Sequence, residues 1–342
     1  MKECTMMNIT EDMIKQFQIL VEKLDDPLKK TFQNMHLGCQ RETLVRFLKA
    51  RDGNVLIAHK MLTDCLNWRI QNEIDCTLSK PIVPTDMYRA IRDSQLVGMP
   101  GYTKEGVPVI ALGVGLSTYD KAPVHFYIQS HIQMNEYRDR VILPSATKKF
   151  GRYIGTCIKI LDMTGLKLSA LNQIKLLSAI STIDDLNYPE KTDTYYIVNV
   201  PYIFTACWKV VKPLLQERTR KKVQVLSGSG RDDLLKIMDQ ESLPHFCRRE
   251  GSGSSRHARN GTGSDCFSLD HPFHQQLYNY VKEQAKLLEI VAPVRHGPFH
   301  VDFPEPDPVD IKIAQTIKSE FQRFGKQNGI APPLQELKIT GE

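Results

Sequence analysis

Asn187–Phe204 reads NYPEKTDTYYIVNVPYIF. The Tyr188-Pro189 pair ends a helical pattern, because a residue before proline is pushed out of the α region. One acid, Glu190, then leads into the mostly apolar Tyr195-Tyr196-Ile197-Val198, which reads as a strand. The strand stops at Pro201, and a very apolar helical pattern starts at once. Strand followed directly by helix is the unit of a parallel sheet covered by helices. A carboxylate at the mouth of a greasy strand serves either a catalytic site or the lip of a ligand pocket.

The same alternation extends on both sides. Val107 to Leu112 is a short apolar run and His125 to Val141 is helical. Cys157 to Leu161 reads as a strand, Ser169 to Leu186 as a helix, Thr194 to Val198 as a strand and Tyr202 to Leu215 as a helix. Val223 to Leu226 and Asp232 to Met238 form the last such pair. Upstream the pattern is helical. Ile14, Phe17, Leu20, Val21 and Leu24 recur at helical spacing, with Pro27 just beyond. Leu44, Phe47 and Leu48 make one stripe, and Ala58, Met61, Leu62, Cys65, Leu66 and Trp68 another. Asp52-Gly53-Asn54 separates them, with Asn54 as an N-cap. The expected fold is α/β (α+β): an N-terminal helical module, then a βα-repeat domain with a mostly parallel sheet.

The chain is expected to divide into an N-terminal helix (1–37), a helical module (38–80), the βα domain (81–250), a linker (251–268) and a helical, Pro-rich extension (269–342). The linker follows from the Gly/Ser/Arg-rich RREGSGSSRHARNGTGS, from Arg248 to Ser264. The extension carries helices near Pro272 to Ile290 and Ile311 to Phe324, flanking VDFPEPDPVD.

Of 342 residues, 41% are hydrophobic and 25% charged, which suits a soluble globular protein with a large core. The net charge of +6 is milder than that of dedicated nucleic-acid domains, and no nucleic-acid partner is expected. Such a balance also suits transient contact with anionic lipid surfaces. Eight scattered cysteines without a C-x-x-C pair fit reduced thiols. With neither a signal-peptide core nor an apolar run of membrane-spanning length, a cytoplasmic protein is expected.

No Walker A, G-x-S-x-G, H-E-x-x-H or complete G-x-G-x-x-G occurs. Gly113-Val114-Gly115 and the turn in VLSGSGRDDLLK (Val225 to Lys236) read as structural, since Asp232 and Asp233 in a first helical turn repel phosphate. His271, His274, His296 and His300 lack ligands at matching spacing, so no metal is expected. In PLLQERTRKKVQVL (Pro213 to Leu226), Lys222 would share a strand face with Gln224 and Leu226 and point away from the Val face. A lysine there needs a partner, and Glu190 is a suitable one. Tyr202 to Leu215 is apolar around much of its circumference, with Trp208 beside Lys209 and Lys212. It is either plain core or a lid that also touches membrane.

These motifs, taken in order, resemble the CRAL-TRIO family of lipid-binding proteins. The match is to the yeast secretory phosphatidylinositol/phosphatidylcholine-transfer type and its plant relatives, nearest in wording to plant members. It runs from about Arg41 to Arg249. LVRFLKAR and NWR resemble the N-terminal helical module, KILDMTGL (Lys159 to Leu166) a central strand and turn, and NYPEKTDTYYIVNVP the longest motif. FTACWKVVKPLLQERTRKKV resembles the gating helix and the strand after it, and LPHF (Leu243 to Phe246) the closing segment.

The resemblance implies a cavity enclosing one lipid, acyl chains inside and headgroup near the surface. It implies a headgroup site of Arg51, Glu190, Thr219 and Lys222, in which cations neutralise phosphate while Glu and Thr suit inositol hydroxyls. The gating helix (about Pro201–Arg218) would meet the membrane through Phe204, Trp208, Val211 and Leu215, with Arg220 and Lys221 beside them. The choline-lipid side of the family departs: Cys157 and Lys159 stand where a Ser-x-Thr pair is expected, and Asn135 and Ile110 where aromatics surround choline.

The function implied is a non-catalytic, monomeric carrier or presenter of phosphatidylinositol at cytosolic membrane faces, peripherally bound, with no cofactor beyond its lipid. Lipid kinase or trafficking partners would use the C-terminal tail. Three rivals stand beside it: a carrier of a tocopherol, sterol or retinoid, a membrane-recruited scaffold, and an enzyme using Glu190.

Overall fold

The first helices start where short polar side chains cap them. Thr10 accepts a hydrogen bond from the Met13 amide and opens α1 (Glu11–Glu22). Asp25 accepts one from Leu28 and opens α2 (Asp26–His36). Pro27, read in the sequence as lying beyond a helix, sits in the first turn of this second one, where its missing N–H goes unneeded. After α3 (Gln40–Ala50), Asn54 caps α4 (Val55–Gln71) through the Ile57 amide, as expected. Phe17, Leu44, Phe47, Leu48, Leu62 and Leu66 fill the centre of this bundle. The computed structural model describes residues 8–167, 173–201, 204, 208–209, 212–214, 217–248, 265–291 and 307–327.

A 3₁₀ turn (Ile74–Ser79) and α5 (Thr85–Arg92) lead into a five-stranded sheet: β1 (Val97–Tyr102), β2 (Pro108–Leu112), β3 (Cys157–Asp162), β4 (Thr192–Val198) and β5 (Val223–Val225). The strands lie in sequence order, β1 antiparallel to β2 and the rest parallel. The mixed α/β architecture with a mostly parallel sheet is therefore the one expected. β1 gave no strand signal, because VGMPGY alternates nothing apolar. It holds an edge with a register shift between Gly98 and Gly101, the kind of place where proline and glycine are tolerated.

Between the strands run α6 (Val124–Tyr137), a π turn (Arg138–Ile142), α7 (Leu143–Phe150), α8 (Ile174–Asn187) and α9 (Glu217–Lys222), and α10 (Arg231–Ile237) follows β5. Lys222, expected on the strand, is instead the last residue of α9. Alternate strand residues face opposite ways. Val109, Ala111, Ile158, Ile160 and Val198 pack with Leu234, Met238 and Phe246 on one face. Ile110, Lys159 and Tyr195 form one register row on the other face.

The helix expected near Pro272 is α11 (Pro272–Val291), and the final one is α12 (Pro308–Gln327). Phe273, Leu277 and Val281 of α11 pack with Met99 and Tyr137. Ser178 of α8 accepts from the Asp307 amide and donates to Asp310 at 2.7 Å. Among the described residues no helix is long and apolar enough to cross a membrane.

Candidate functional site

Where α8 ends, the chain must turn sharply to enter β4. Glu190 makes that turn with φ +57°, a left-handed conformation that costs a non-glycine residue about 1–2 kcal/mol. Its carboxylate accepts from Lys222 Nζ at 2.7 Å, and the same ammonium donates to the Thr192 carbonyl at 3.0 Å. Thr219 lies three residues before Lys222 on α9, hence on the same side of that helix. Glu190, Thr219 and Lys222 line one polar cavity of about 60 Å³.

Arg51 stands beside this cavity rather than on its wall. As C-cap of α3 it donates Nη1 to the Ala50 carbonyl at 2.8 Å. The same carbonyl accepts Arg218 Nη1 at 2.6 Å, and Arg218 does line the cavity. Burial and the nearby Arg218 lower the Arg51 pKa from its ordinary value. Nothing in the sequence singles out Arg218, because it sits among Arg220, Lys221 and Lys222 in one run of cations. Five cationic side chains line this cavity against three acidic ones, a balance that suits an anionic group.

Deeper in, a second and mostly apolar cavity of about 220 Å³ lies between the sheet and helices α6 and α8. Ile110, Leu112, Met134, Leu177, Ile180 and Phe273 form much of its wall. Arg138, Lys159 and Asp184 line both cavities. Asp184 accepts from Asn135 Nδ2 at 2.7 Å and meets His131 Nε2 at 2.7 Å and Lys159 Nζ at 3.5 Å. The neighbouring His131, Lys159 and Arg138 hold its carboxyl well below the usual carboxylate range despite burial. Sequence reading found Lys159 and Asn135 only as departures from a choline site, and did not bring them together with Arg138 or Asp184. No local pattern links four residues on four separate elements.

Of the residues expected to meet membrane, Phe204 and Trp208 stack at 6.0 Å with their rings 12° apart. Val211 and Leu215 lie outside the described residues, as do most of the positions between Pro201 and Glu217. Pro213, in a 3₁₀ turn (Lys212–Leu214), and Lys209 are exposed. Arg220 and Lys221 lie on α9, where Lys221 pairs with Glu217 at 2.9 Å.

Among the described residues His245, Asp265 and Cys266 bring three metal-competent atoms within 4.8 Å of one another. Burial raises the Cys266 thiol pKa, which disfavours the thiolate that a metal takes.

The CRAL/TRIO domain family matches residues 92–247, and the CRAL/TRIO N-terminal domain matches residues 13–64. The chain belongs to the CRAL/TRIO family. This CRAL/TRIO protein is similar to the SEC14 cytosolic factor of Eremothecium gossypii, 29% identical over 209 residues, 59% of this chain and 67% of that one. It is also similar to the phosphatidylinositol/phosphatidylcholine transfer protein SFH9 of Arabidopsis thaliana, 28% identical over 221 residues, 61% of this chain and 38% of that one. A further Arabidopsis protein of the same description, SFH12, is 28% identical over 248 residues, 70% of this chain and 43% of its own. The CRAL/TRIO protein thus spans less than half the length of these Arabidopsis relatives. The crystal structure of Sfh5 aligns with a TM-score of 0.55 at 17% identity, covering 84% of this chain and all of that one, a likeness of fold. Helices α11 and α12 lie beyond both matched spans.

Proposed function

We propose that the protein is a non-catalytic carrier of one phosphatidylinositol, loaded and released at cytosolic membrane surfaces. The observation that carries this is the Glu190–Lys222 pair, 2.7 Å apart, at a polar cavity that shares its wall with an apolar one. Acyl chains in the apolar space supply most of the affinity, at about 0.8 kcal/mol for each buried CH₂. Lys222 and Arg218 meet the phosphate, while Glu190 and Thr219 accept and donate to inositol hydroxyls. Arg51 acts from behind, through the Ala50 carbonyl it shares with Arg218. Arg220 and Lys221 favour anionic lipid, and opening about Pro201 and Pro213 admits the cargo. The carrier acts as a monomer without a cofactor, and residues beyond Arg249 engage lipid kinase or trafficking partners.

Vesicle-to-vesicle transfer tests the reading. Glu190→Ala and Lys222→Ala are each expected to lower phosphatidylinositol transfer about tenfold or more, the worth of a charge-assisted hydrogen bond. Transfer at the wild-type rate in both variants would sink the headgroup assignment. Recovery of a neutral tocopherol, sterol or retinoid with the purified protein would replace the cargo.

A further inference from the structure

A cavity built for acyl chains alone has no use for buried cations, because each one taken from water is costly unless paired. Lys159 nonetheless occupies the middle of the cavity-facing row, between Ile110 and Tyr195. Its carboxylate partner among the described residues, Asp184, is 3.5 Å away, long for a hydrogen bond. Oδ1 of Asp184 is already engaged by Asn135 and His131. The Lys159 ammonium, with three donors, meets besides Asp184 the face of the Tyr195 ring at 5.7 Å, and among the described residues it has no other hydrogen-bond acceptor.

Arg138 shows the same imbalance more sharply. It is 4% exposed, lines both cavities, and stacks over the Tyr188 ring at 5.7 Å. Its Nε donates to Asp139 at 2.7 Å and Nη1 donates to Asn135 at 2.9 Å. Nη2 has no hydrogen-bond partner among the described residues. Around these two residues, Lys191 uses Asp139 as well, at 3.1 Å. Among the described residues, half-buried Arg46 donates to neutral acceptors, the Pro189 carbonyl and the Thr43 hydroxyl. Arg138 and Lys191 thus share Asp139, Lys159 has Asp184, and Arg46 adds a fourth basic side chain near Asp139. Burial, and after it the nearby Arg46 and Arg138, pushes Lys191 down to about 7.

We propose that Arg138 and Lys159 form an interior anion site, which lets the cavity take a single-chain acidic amphiphile as an alternative cargo, its anionic oxygen held at the seam between the cavities and its chain in the apolar space. A carboxylate and a phosphate monoester supply the same chemistry, two or more negatively charged oxygens able to accept from Nη2 and Nζ together. The inference rests on the apolar cavity being the chain-holding space of the carrier reading. It adds a second point of polar recognition, on the sheet side rather than at Glu190 and Lys222.

The test is direct binding of a fluorescent polyene fatty acid, its methyl ester and a single-chain lysophosphatidic acid to the full chain, wild type, Lys159→Met and Arg138→Gln. The wild type is expected to bind the acid about tenfold or more tighter than the ester. That preference is expected to fall to about threefold or less in both variants. Lysophosphatidic acid competing more strongly than the fatty acid assigns the site to a phosphate, and the reverse order to a carboxylate. Equal binding of acid and ester by the wild type overturns the proposal, as does a preference that survives Lys159→Met. Arg138 also holds Asn135 and Asp139, so a misfolded Arg138→Gln leaves the decision to Lys159→Met. Phosphatidylinositol transfer run on the same samples separates the two readings. An acid preference without any transfer keeps the interior site and sinks the carrier reading alone.

Discussion

Lys191 follows the strained Glu190 directly and shows how unevenly one short motif is read from sequence. It is 9% exposed, and burial with Arg46 and Arg138 nearby lowers it to about 7 despite its ion pair with Asp139. An unfolded lysine keeps its proton to about pH 10.4, so between pH 7 and 10.4 the unfolded chain binds the extra proton. Stability from this group therefore rises with pH across that window and is lost as pH falls through 7. In urea unfolding, wild type relative to Lys191→Met is expected to gain up to about 1.4 kcal/mol per pH unit between pH 7 and 9. A flat difference would mean that Asp139 keeps Lys191 charged. Glu190 and Lys222 could be paired on paper because one acid and one base stood at neighbouring strand mouths. The roles of Lys191, Arg218 and Arg138 could not, since each depends on neighbours brought in from distant elements.

At the scale of elements, periodicity served wherever a segment buries one face against a single partner. Helices α1, α3 and α4 and strands β2, β3 and β4 are of that kind. It failed at α9 and β1. The ERTRKK of α9 has no buried residue to mark a face, so nothing in the sequence separates the helix end at Lys222 from a strand start. β1 owes its place to what its glycines admit. A Cβ on Gly98 would collide with the carbonyl of Cys266, so this glycine lets the segment before α11 lie against the sheet edge. Gly98→Ala is expected to cost about 1–3 kcal/mol, as overpacking does, and to increase protease cleavage between residues 249 and 291. Unchanged cleavage and an unchanged urea midpoint would show that the edge yields without cost.

Across the whole molecule, the helical module is joined to the βα domain by charge as well as by apolar packing. Arg69, 2% exposed, donates Nη1 and Nη2 to Glu136 at 2.8 and 2.9 Å and Nε to Asp75 at 3.1 Å. Tyr188, from the motif that holds Glu190, donates its hydroxyl to the same Glu136 at 2.8 Å. The two arginines, Arg69 and Arg140, hold the Glu136 pKa below its ordinary value against burial. Arg69→Met is expected to destabilise by about 3 kcal/mol, the cost of leaving a buried charge short of its partner, and Arg69→Met with Glu136→Met to recover part of it. Equal loss in single and double variants would show that packing, not charge, dominates. With its folded pKa depressed, Glu136 contributes stability above about pH 4.3 that is lost as pH falls through the folded value. NWR in the sequence located Arg69 but not its partner, 67 residues away.

The Ala50 carbonyl, shared by Arg51 and Arg218, gives the bundle a latch that can be undone without leaving an orphan. Any displacement of α9 from the helical module must break the bond from Arg218, yet Ala50 keeps the one from Arg51. The step then forfeits one hydrogen bond, about 1 kcal/mol, instead of stranding a buried acceptor. Arg51 thus keeps the Ala50 carbonyl satisfied whether or not Arg218 is in place.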